Sequence, residues 1–368
     1  MSDTYKKVYF VTGGGTGGHI YPAMAVADAL SEEAKVYYVG NRRNMEFELA
    51  SKKGYKFLHV GISGMPRKIN PKFFYWGVRL VRAILYSIRY IKKYKPNAVF
   101  ATGGYVSAPM VFACIITKTP YMMHDCDAMP GLVTRKLCKR AKYVSLAFEK
   151  ARKYIPNRNV IVTGNPIREE FATLTKEQAR EKLGLKNKLT MAIMGGSQGA
   201  KSINNTTVEV LKEFAQDLGM QIILQTGKKN YDEAVEKLKL VYPAWEQNSG
   251  VIVKPYFMDM ISVLKASDIV LSRAGSLSLS EISASGAAPI LVPYPHAAAN
   301  HQRINAKSFL DNGACIYLED KELEPNKLRE VVQSLVNNRT KMNYIKQNSS
   351  CLAKLNATEK IVECIKKI

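Results

Sequence analysis

Two stretches constrain the fold more than any other. Residues 8–19 read VYFVTGGGTGGH and residues 190–199 read TMAIMGGSQG, each an apolar run breaking into glycines ahead of a helix-forming segment. A strand that ends in a glycine turn and feeds a helix opens a parallel sheet, because parallel strands need a crossover and a helix supplies it. The alternation continues in both halves. Strands are expected at 8–12, 35–39, 99–101 and 121–124, with a helix at 21–31 that places Pro22 near its first turn. The pattern restarts with strands at 190–194, 221–225, 250–253, 269–271 and 289–292 and a helix at 202–218. At 368 residues the chain exceeds one typical core. The expected fold class is α/β, two Rossmann-like doubly wound domains in tandem, joined near Gly164-Asn165-Pro166. Ligands of such sheets bind outside the carboxyl ends of the strands, which predicts the two glycine loops on opposite walls of one cleft.

A glycine loop at a helix start lets backbone N–H groups approach a phosphate with the helix dipole behind them. A plain tight turn is the simpler reading. Gly13, Gly15 and Gly18 match G-x-G-x-x-G, but a dinucleotide site also needs an acidic residue beyond the second strand to hold a ribose. Here KVYYVG runs into Asn41 and Arg42 with no acid at the strand end, which argues against NAD. His19 stands where a P-loop would need lysine. A helix start disfavours the imidazolium, so His19 reads either as a neutral base or as a residue that caps the loop.

The formal net charge of +23 is lopsided. Residues 1–165 hold 27 Lys+Arg against 9 Asp+Glu, residues 166–368 hold 27 against 22, and no acid lies between Glu48 and Asp125. One half is therefore expected to face an anionic partner: nucleic acid, anionic lipid or a phosphorylated substrate. No nucleic-acid module accompanies the charge, so nucleic acid is not the expected partner. The six cysteines form no C-x-x-C pair, which gives no ground for a zinc site or a disulfide framework. No run approaches the roughly 18 apolar residues of a membrane span, and residues 8–11 are too short for a signal peptide. A reduced, cytoplasmic setting fits.

Residues 72–94, KFFYWGVRLVRAILYSIRYIKKY, carry a helical pattern. Arg79, Arg82, Arg89 and Lys93 follow one stripe, Val78, Val81, Leu85 and Ile88 another, and Phe73, Phe74, Tyr75 and Trp76 cluster at the start. A basic amphipathic helix with aromatics reads as membrane-surface binding. The alternative is a surface helix whose apolar stripe packs on the sheet. Both hold together if the stripe packs inward while the basic rim and aromatic end touch lipid.

The segments GGGTGGHIYPAMAVADAL, ATGGYVSAP, GNPIR, GGSQGAKSIN and SRAGSLSLSEI together resemble the MurG family of peptidoglycan synthesis, and the resemblance runs through nearly the whole chain. It implies an inverting transfer of N-acetylglucosamine from UDP to the 4-hydroxyl of a lipid-linked muramyl-pentapeptide, with no cofactor and no essential metal. It implies a GT-B fold in which 1–164 face acceptor and membrane, 165–345 bind the UDP-sugar, and 346–368 form a C-terminal helix returning to the first domain. The implied partners are UDP-N-acetylglucosamine, the undecaprenyl-linked acceptor and anionic lipid, at the cytoplasmic face of the cell membrane. A UDP-sugar:diacylglycerol glycosyltransferase would share the fold and the UDP site. Gly103-Gly104-Tyr105 together with Ile62-Ser63-Gly64 favour the peptidoglycan enzyme.

Motif by motif, the resemblance implies Glu281 at the ribose, Tyr256 and Phe257 at the uracil, and Ser197 and Gln198 at the diphosphate. It implies Arg168 near the donor sugar and phosphates, with His301 and Gln302 reading the sugar. Thr16, Gly17, Gly18, Gly103, Gly104, Tyr105 and Asp127 fall to the acceptor and its diphosphate. His19 is the first candidate for the base that takes the acceptor proton and Asp125 the second. Two departures stand out. His301 replaces a family glutamine, and His124-Asp125-Cys126-Asp127 replaces the commoner His-Glu-Gln-Asn.

Overall fold

The computed structural model describes residues 7–66, 68, 70–196 and 198–368, so Ser197 lies outside the described residues. The chain divides into two compact units, Met1–Arg168 with Lys354–Ile368, and Glu169–Ala353.

The first unit is a parallel sheet in the order β3-β2-β1-β4-β5-β6-β7. Its strands are β1 (Val8–Thr12), β2 (Lys35–Gly40), β3 (Lys56–His59), β4 (Ala98–Ala101), β5 (Tyr121–Asp125), β6 (Tyr143–Leu146) and β7 (Val160–Val162). The crossovers carry α1 (Gly17–Ser31), α2 (Met45–Lys52), α3 (Pro71–Tyr94), α4 (Gly104–Thr117) and α5 (Leu132–Leu137). Successive side chains of a strand point to opposite faces, and β1 uses both. Tyr9 and Val11 enter a core with Ile20 and Leu30 of α1 and with Ile361 and Ile365 of the C-terminal helix Ala357–Lys366. Phe10 enters the opposite core with Ala83 and Ile91 of α3 and Met110 of α4. Burial on both faces is why β1 reads as a continuous apolar run.

The second unit repeats the plan in the order β10-β9-β8-β11-β12-β13. Its strands are β8 (Thr190–Met194), β9 (Gln221–Gln225), β10 (Val251–Lys254), β11 (Ile269–Ser272), β12 (Ala288–Leu291) and β13 (Ile316–Tyr317). Its helices are α6 (Glu170–Thr173), α7 (Lys176–Lys182), α8 (Lys201–Gln216), α9 (Tyr231–Val241), α10 (Met260–Ala266), α11 (Ser276–Ser285), α12 (His301–Leu310), α13 (Pro325–Val336) and α14 (Arg339–Cys351). At the amino ends of β8 and β11, Asp268 accepts from Arg180 at 2.9 Å, Lys346 at 2.8 Å, the Thr190 amide at 3.0 Å and Lys176. Burial works to raise this carboxyl, but the bonds from Lys176 and Lys346 outweigh it and hold it below the ordinary carboxylate range. Removing one side of a buried pair of this kind costs about 3–5 kcal/mol. The cluster braces the sheet at the end opposite its carboxyl edge.

In each sheet the direction of strand addition reverses beside the first strand, between β1 and β4 and between β8 and β11. Those reversals open a crevice at the carboxyl edge. The glycine loops 13–18 and 195–199 follow β1 and β8 directly.

Three expectations are corrected. Helix α1 starts at Gly17, because the Thr16 carbonyl already accepts the His19 and Ile20 amides at 3.1 Å. Pro22 therefore lies inside the helix and leaves the Gly18 carbonyl without its usual donor. Four strands lie outside the expected set: β3, β7 and β13 are edge strands, largely half-exposed and weakly patterned, and β6 is an interior strand of only four residues with a serine among them. The apolar stripe of α3 packs inward only at Ile88, which lies partly buried against the core, while Val78, Val81 and Leu85 are 67%, 57% and 61% exposed. The helix seats instead on Ala83, Ser87 and Ile91, small or slender residues that let it approach α4 closely.

Candidate functional site

In the first unit the loops after β1, β4 and β5 bring the sequence-selected residues together. His19 sits in the first turn of α1, half-buried and held from several sides. Its carbonyl accepts from Thr102 Oγ1 at 2.6 Å, and its Nδ1 lies 3.8 Å from Cys126 Sγ. Its ring lies against Gly104, where a Cβ would come within 2.9 Å of the His19 Cδ2. Gly104 has φ +71°, so space and backbone conformation both select glycine there. Thr16 occupies the N-cap position of α1 with Gly17 and Gly18 as the first helical residues, and Gly103 and Tyr105 lie at the start of α4 beside them.

The first glycine loop is filled by the protein itself. A Cβ on Gly14 would fall 2.6 Å from Glu46 Oε1, and one on Gly15 would fall 2.8 Å from the Tyr105 ring. Glu46 Oε2 accepts the Gly15 amide at 3.3 Å, and Oε1 accepts the Asn41 amide at 3.2 Å and Asn44 Nδ2 at 3.0 Å. Asn44 Nδ2 also donates to the Tyr105 hydroxyl at 3.2 Å, and the Tyr38 hydroxyl donates to the Gly13 carbonyl at 2.7 Å. An acid does return to the end of β2, six positions past Gly40, but it binds the glycine loop rather than standing open to a ribose. The acidic first turn of α2 was its only trace in the sequence.

The two base candidates differ. Asp125 is fully buried and turned inward, its Oδ1 accepting the Asp127 amide at 3.2 Å and its Oδ2 the Gly131 amide at 3.0 Å. Burial pushes its carboxyl up to about 7, and the nearby Asp127 adds to the shift. These bonds close the 125–131 loop on itself. Neighbouring His124 is also buried, with Nδ1 2.8 Å from Ser145 Oγ and Nε2 3.0 Å from Asn165 Oδ1. Burial lowers its pKa to about 4. Donation from Nε2 to the Asn165 oxygen leaves Nδ1 to accept from Ser145, and Asn165 Nδ2 in turn reaches the Cys126 carbonyl at 3.4 Å. This network ties the GNPIR segment, which ends at Arg168, to the end of β5; the sequence alone showed no sign of it.

In the second unit, Gly195 and Gly199 pack against the backbone of Ala200 and Thr226, while Gly196, with φ +83°, faces open space. Gln198 is exposed in that loop, and Glu281 lies half-buried on α11. Phe257 is buried, its amide donating to Gln225 Oε1 at 2.9 Å, whereas Tyr256 is exposed. Gln302 Oε1 accepts the Tyr294 amide at 2.9 Å, and His301 Nδ1–H donates to the Ala298 carbonyl at 2.7 Å. Just before them Ala299 and Asn300 take φ +50° and +54°, a strained pair of the kind that collects at ligand sites. No local pattern in the sequence marks Arg273. It donates to the Val292 carbonyl at 3.1 Å, to Asp320 Oδ1 at 2.6 Å and to Ser202 Oγ at 2.9 Å, binding the ends of β11 and β12 to the start of α8.

Comparison with known proteins covers both units. Residues 9–145 match the glycosyltransferase family 28 N-terminal domain and residues 190–365 the glycosyltransferase family 28 C-terminal domain. The chain is 36% identical over 363 residues to the UDP-N-acetylglucosamine–N-acetylmuramyl-(pentapeptide) pyrophosphoryl-undecaprenol N-acetylglucosamine transferase of Desulforamulus reducens, covering 97% of this chain and 98% of that protein. It is 35% identical to the protein of the same name from Caldanaerobacter subterraneus, covering 98% and 99%. Among solved structures it resembles Acinetobacter baumannii MurG, with TM-score 0.79, 27% identity and coverage of 98% and 100%. It also resembles, in fold alone, the UDP-GlcNAc 2-epimerase of Neisseria meningitidis, with TM-score 0.69, 15% identity and coverage of 98% and 100%.

Proposed function

The chain belongs to glycosyltransferase family 28, of GT-B fold, and from that premise we propose that it transfers N-acetylglucosamine from UDP-N-acetylglucosamine to undecaprenyl-pyrophosphoryl N-acetylmuramyl-pentapeptide. The observation that carries the proposal is the match to so-named relatives over 97% of the chain, both units included. The first unit takes the lipid-linked acceptor and the second the UDP-sugar. In the reaction the muramyl 4-hydroxyl oxygen attacks the anomeric carbon, the bond from that carbon to the diphosphate breaks, and UDP leaves with inversion. His19 takes the hydroxyl proton, a role that contributes typically about 10²–10⁴-fold. Its clasp by Thr102, Gly104 and Cys126 supports that role, since a base acts only from a fixed position. Asp125, Asp127 and the Gly103-Gly104-Tyr105 turn shape the loops around it. Charge growing on the departing diphosphate is met by the amides of the 195–199 loop, Ser197, Gln198 and Arg168. Glu281 holds the ribose, Tyr256 and the Phe257 backbone the uracil, and His301 and Gln302 the sugar.

We further propose that the enzyme works at the cytoplasmic face of the cell membrane, through α3. No helix among the described residues is long and apolar enough to cross a membrane. Phe74, Val78, Val81 and Leu85 form an exposed apolar ridge along α3, with Phe73 and Trp76 at its start and Arg79, Arg82 and Arg89 beside it. An apolar ridge with a cationic rim suits an anionic leaflet, and a polyprenyl-linked acceptor is found there. The test is turnover of UDP-N-acetylglucosamine with a lipid-linked muramyl-pentapeptide analogue, against a diacylglycerol control. Sugar transfer to the muramyl acceptor alone is expected; transfer to diacylglycerol would replace the proposal with the related lipid glycosyltransferase.

A further inference from the structure

We propose that Glu46 is a positioning residue of the acceptor side, an internal carboxylate that fixes the 13–19 loop and Tyr105 from the place a bound phosphate would otherwise take. The claim rests on the acceptor reading of the first unit. The anion-binding chemistry of a strand–glycine–helix loop lies in its N–H groups. Here the Gly15 amide is spent on Glu46 Oε2 at 3.3 Å, and the carboxylate sits in a slot that exists because Gly14 and Gly40 lack side chains. A Cβ on Gly40 would fall 2.9 Å from Glu46 Cγ, as one on Gly14 would fall 2.6 Å from Oε1.

The side chain is fully buried, and among the described residues its hydrogen-bond partners are the N–H groups of Gly15, Asn41 and Asn44. Its place in the first turn of α2 adds that helix dipole. Burying a carboxylate is costly unless its oxygens are met, and three N–H donors meet it. The consequence runs outward along Asn44, whose Nδ2 donates to both Glu46 and the Tyr105 hydroxyl. One carboxylate thereby couples the loop after β1, the loop after β2 and the start of α4. With Gly15 spoken for, an acceptor diphosphate can still meet the amides of Gly17 and Gly18, the first residues of α1, which the helix ladder does not use. Glu46 holds them, and His19 behind them, in register without touching substrate.

The test compares Glu46→Gln, Glu46→Asp and Glu46→Ala in the full chain. In Glu46→Gln an amide NH₂ faces backbone N–H donors, so two donors oppose each other. The expected result is an acceptor KM raised by about tenfold or more, with UDP affinity within about twofold of wild type. Hydrogen exchange across residues 13–19 should quicken by about tenfold, since one hydrogen bond contributes on that scale. Glu46→Asp should lie between wild type and Glu46→Gln, and formate added to Glu46→Ala should restore part of the acceptor turnover. An acceptor KM unchanged in Glu46→Gln, unchanged exchange, or acceptor and UDP affinities falling together would each overturn the assignment. If wild type does not use the lipid-linked acceptor, the functional reading falls, and the exchange measurement still decides whether Glu46 fixes the loop.

Discussion

In the first glycine loop the room left by absent side chains is occupied by the side chains of Glu46, Tyr105 and Thr102, whereas in the second Gly196 opens onto empty space and the closest contacts at Gly195 and Gly199 are backbone atoms of Ala200 and Thr226. Both loops leave the first strand of a parallel sheet at its reversal point, and both lead into a helix. They differ in what their glycines make room for. A loop of this kind either admits a ligand phosphate or admits the protein's own side chains, and only the surrounding elements decide which. The filled loop seats His19 against Gly104 and Thr102, and the second loop leaves open room at Gly196.

The largest expected effect falls on the filled loop. His19→Ala should lower transfer by about 10²–10⁴-fold with UDP affinity unchanged, checked by turnover and by titration with UDP. Near-normal turnover would remove His19 as the base.

The two units should also differ in their pH response. The Asp125 pKa is raised to about 7, so its contribution to stability is full below its unfolded value near 4 and is lost as pH rises through about 7. The His124 pKa is lowered to about 4, so its contribution is full above its unfolded value of 6.5 and is lost as pH falls through about 4. Between those limits the two oppose each other, each pKa unit being worth about 1.4 kcal/mol. Asp125→Asn should therefore leave a first unit whose melting temperature climbs with pH from about 4 to 6.5, by thermal melts across that window. The depressed Asp268 carboxyl contributes above its ordinary pKa and loses its contribution only under more acid conditions, so the second unit should show no such slope.

Alanine at one glycine of each loop sharpens the contrast further. Gly14→Ala drives a Cβ into Glu46 and should cost about 1–3 kcal/mol of stability while raising the acceptor KM, by denaturant melts and kinetics. Gly196→Ala meets no neighbour and suffers only its positive φ, about 1 kcal/mol, with any kinetic loss confined to the donor. The smallest effect per residue lies on α3. Each of Arg79→Gln, Arg82→Gln and Arg89→Gln should weaken partition onto anionic vesicles by at most about 1 kcal/mol, measured by flotation, with UDP affinity unaltered.

How much of this was legible in the sequence follows the range of each signal. Strands β1 and β8 are uninterrupted apolar runs because both their faces are buried, so their ends and the loops after them could be read directly. The inward turn of Asp125 and the bond between His124 and Asn165 join residues far apart in sequence, and no local pattern encodes them. The missing acid at β2 was sought at the strand end, where a ribose-binding residue would stand; Glu46 reaches the same space from the next helix. On α3 the period-3.6 stripe was correct as a pattern, but which face is buried depended on the small residues opposite it.

The most direct test of the contrast is a UDP titration by calorimetry on wild type, Gly14→Ala and Glu281→Ala. One site per chain is expected, unchanged by Gly14→Ala and weakened by about tenfold or more by Glu281→Ala, on the scale of a lost charge-assisted hydrogen bond. UDP binding lost in Gly14→Ala and kept in Glu281→Ala would contradict it, and would make the first glycine loop the nucleotide site after all.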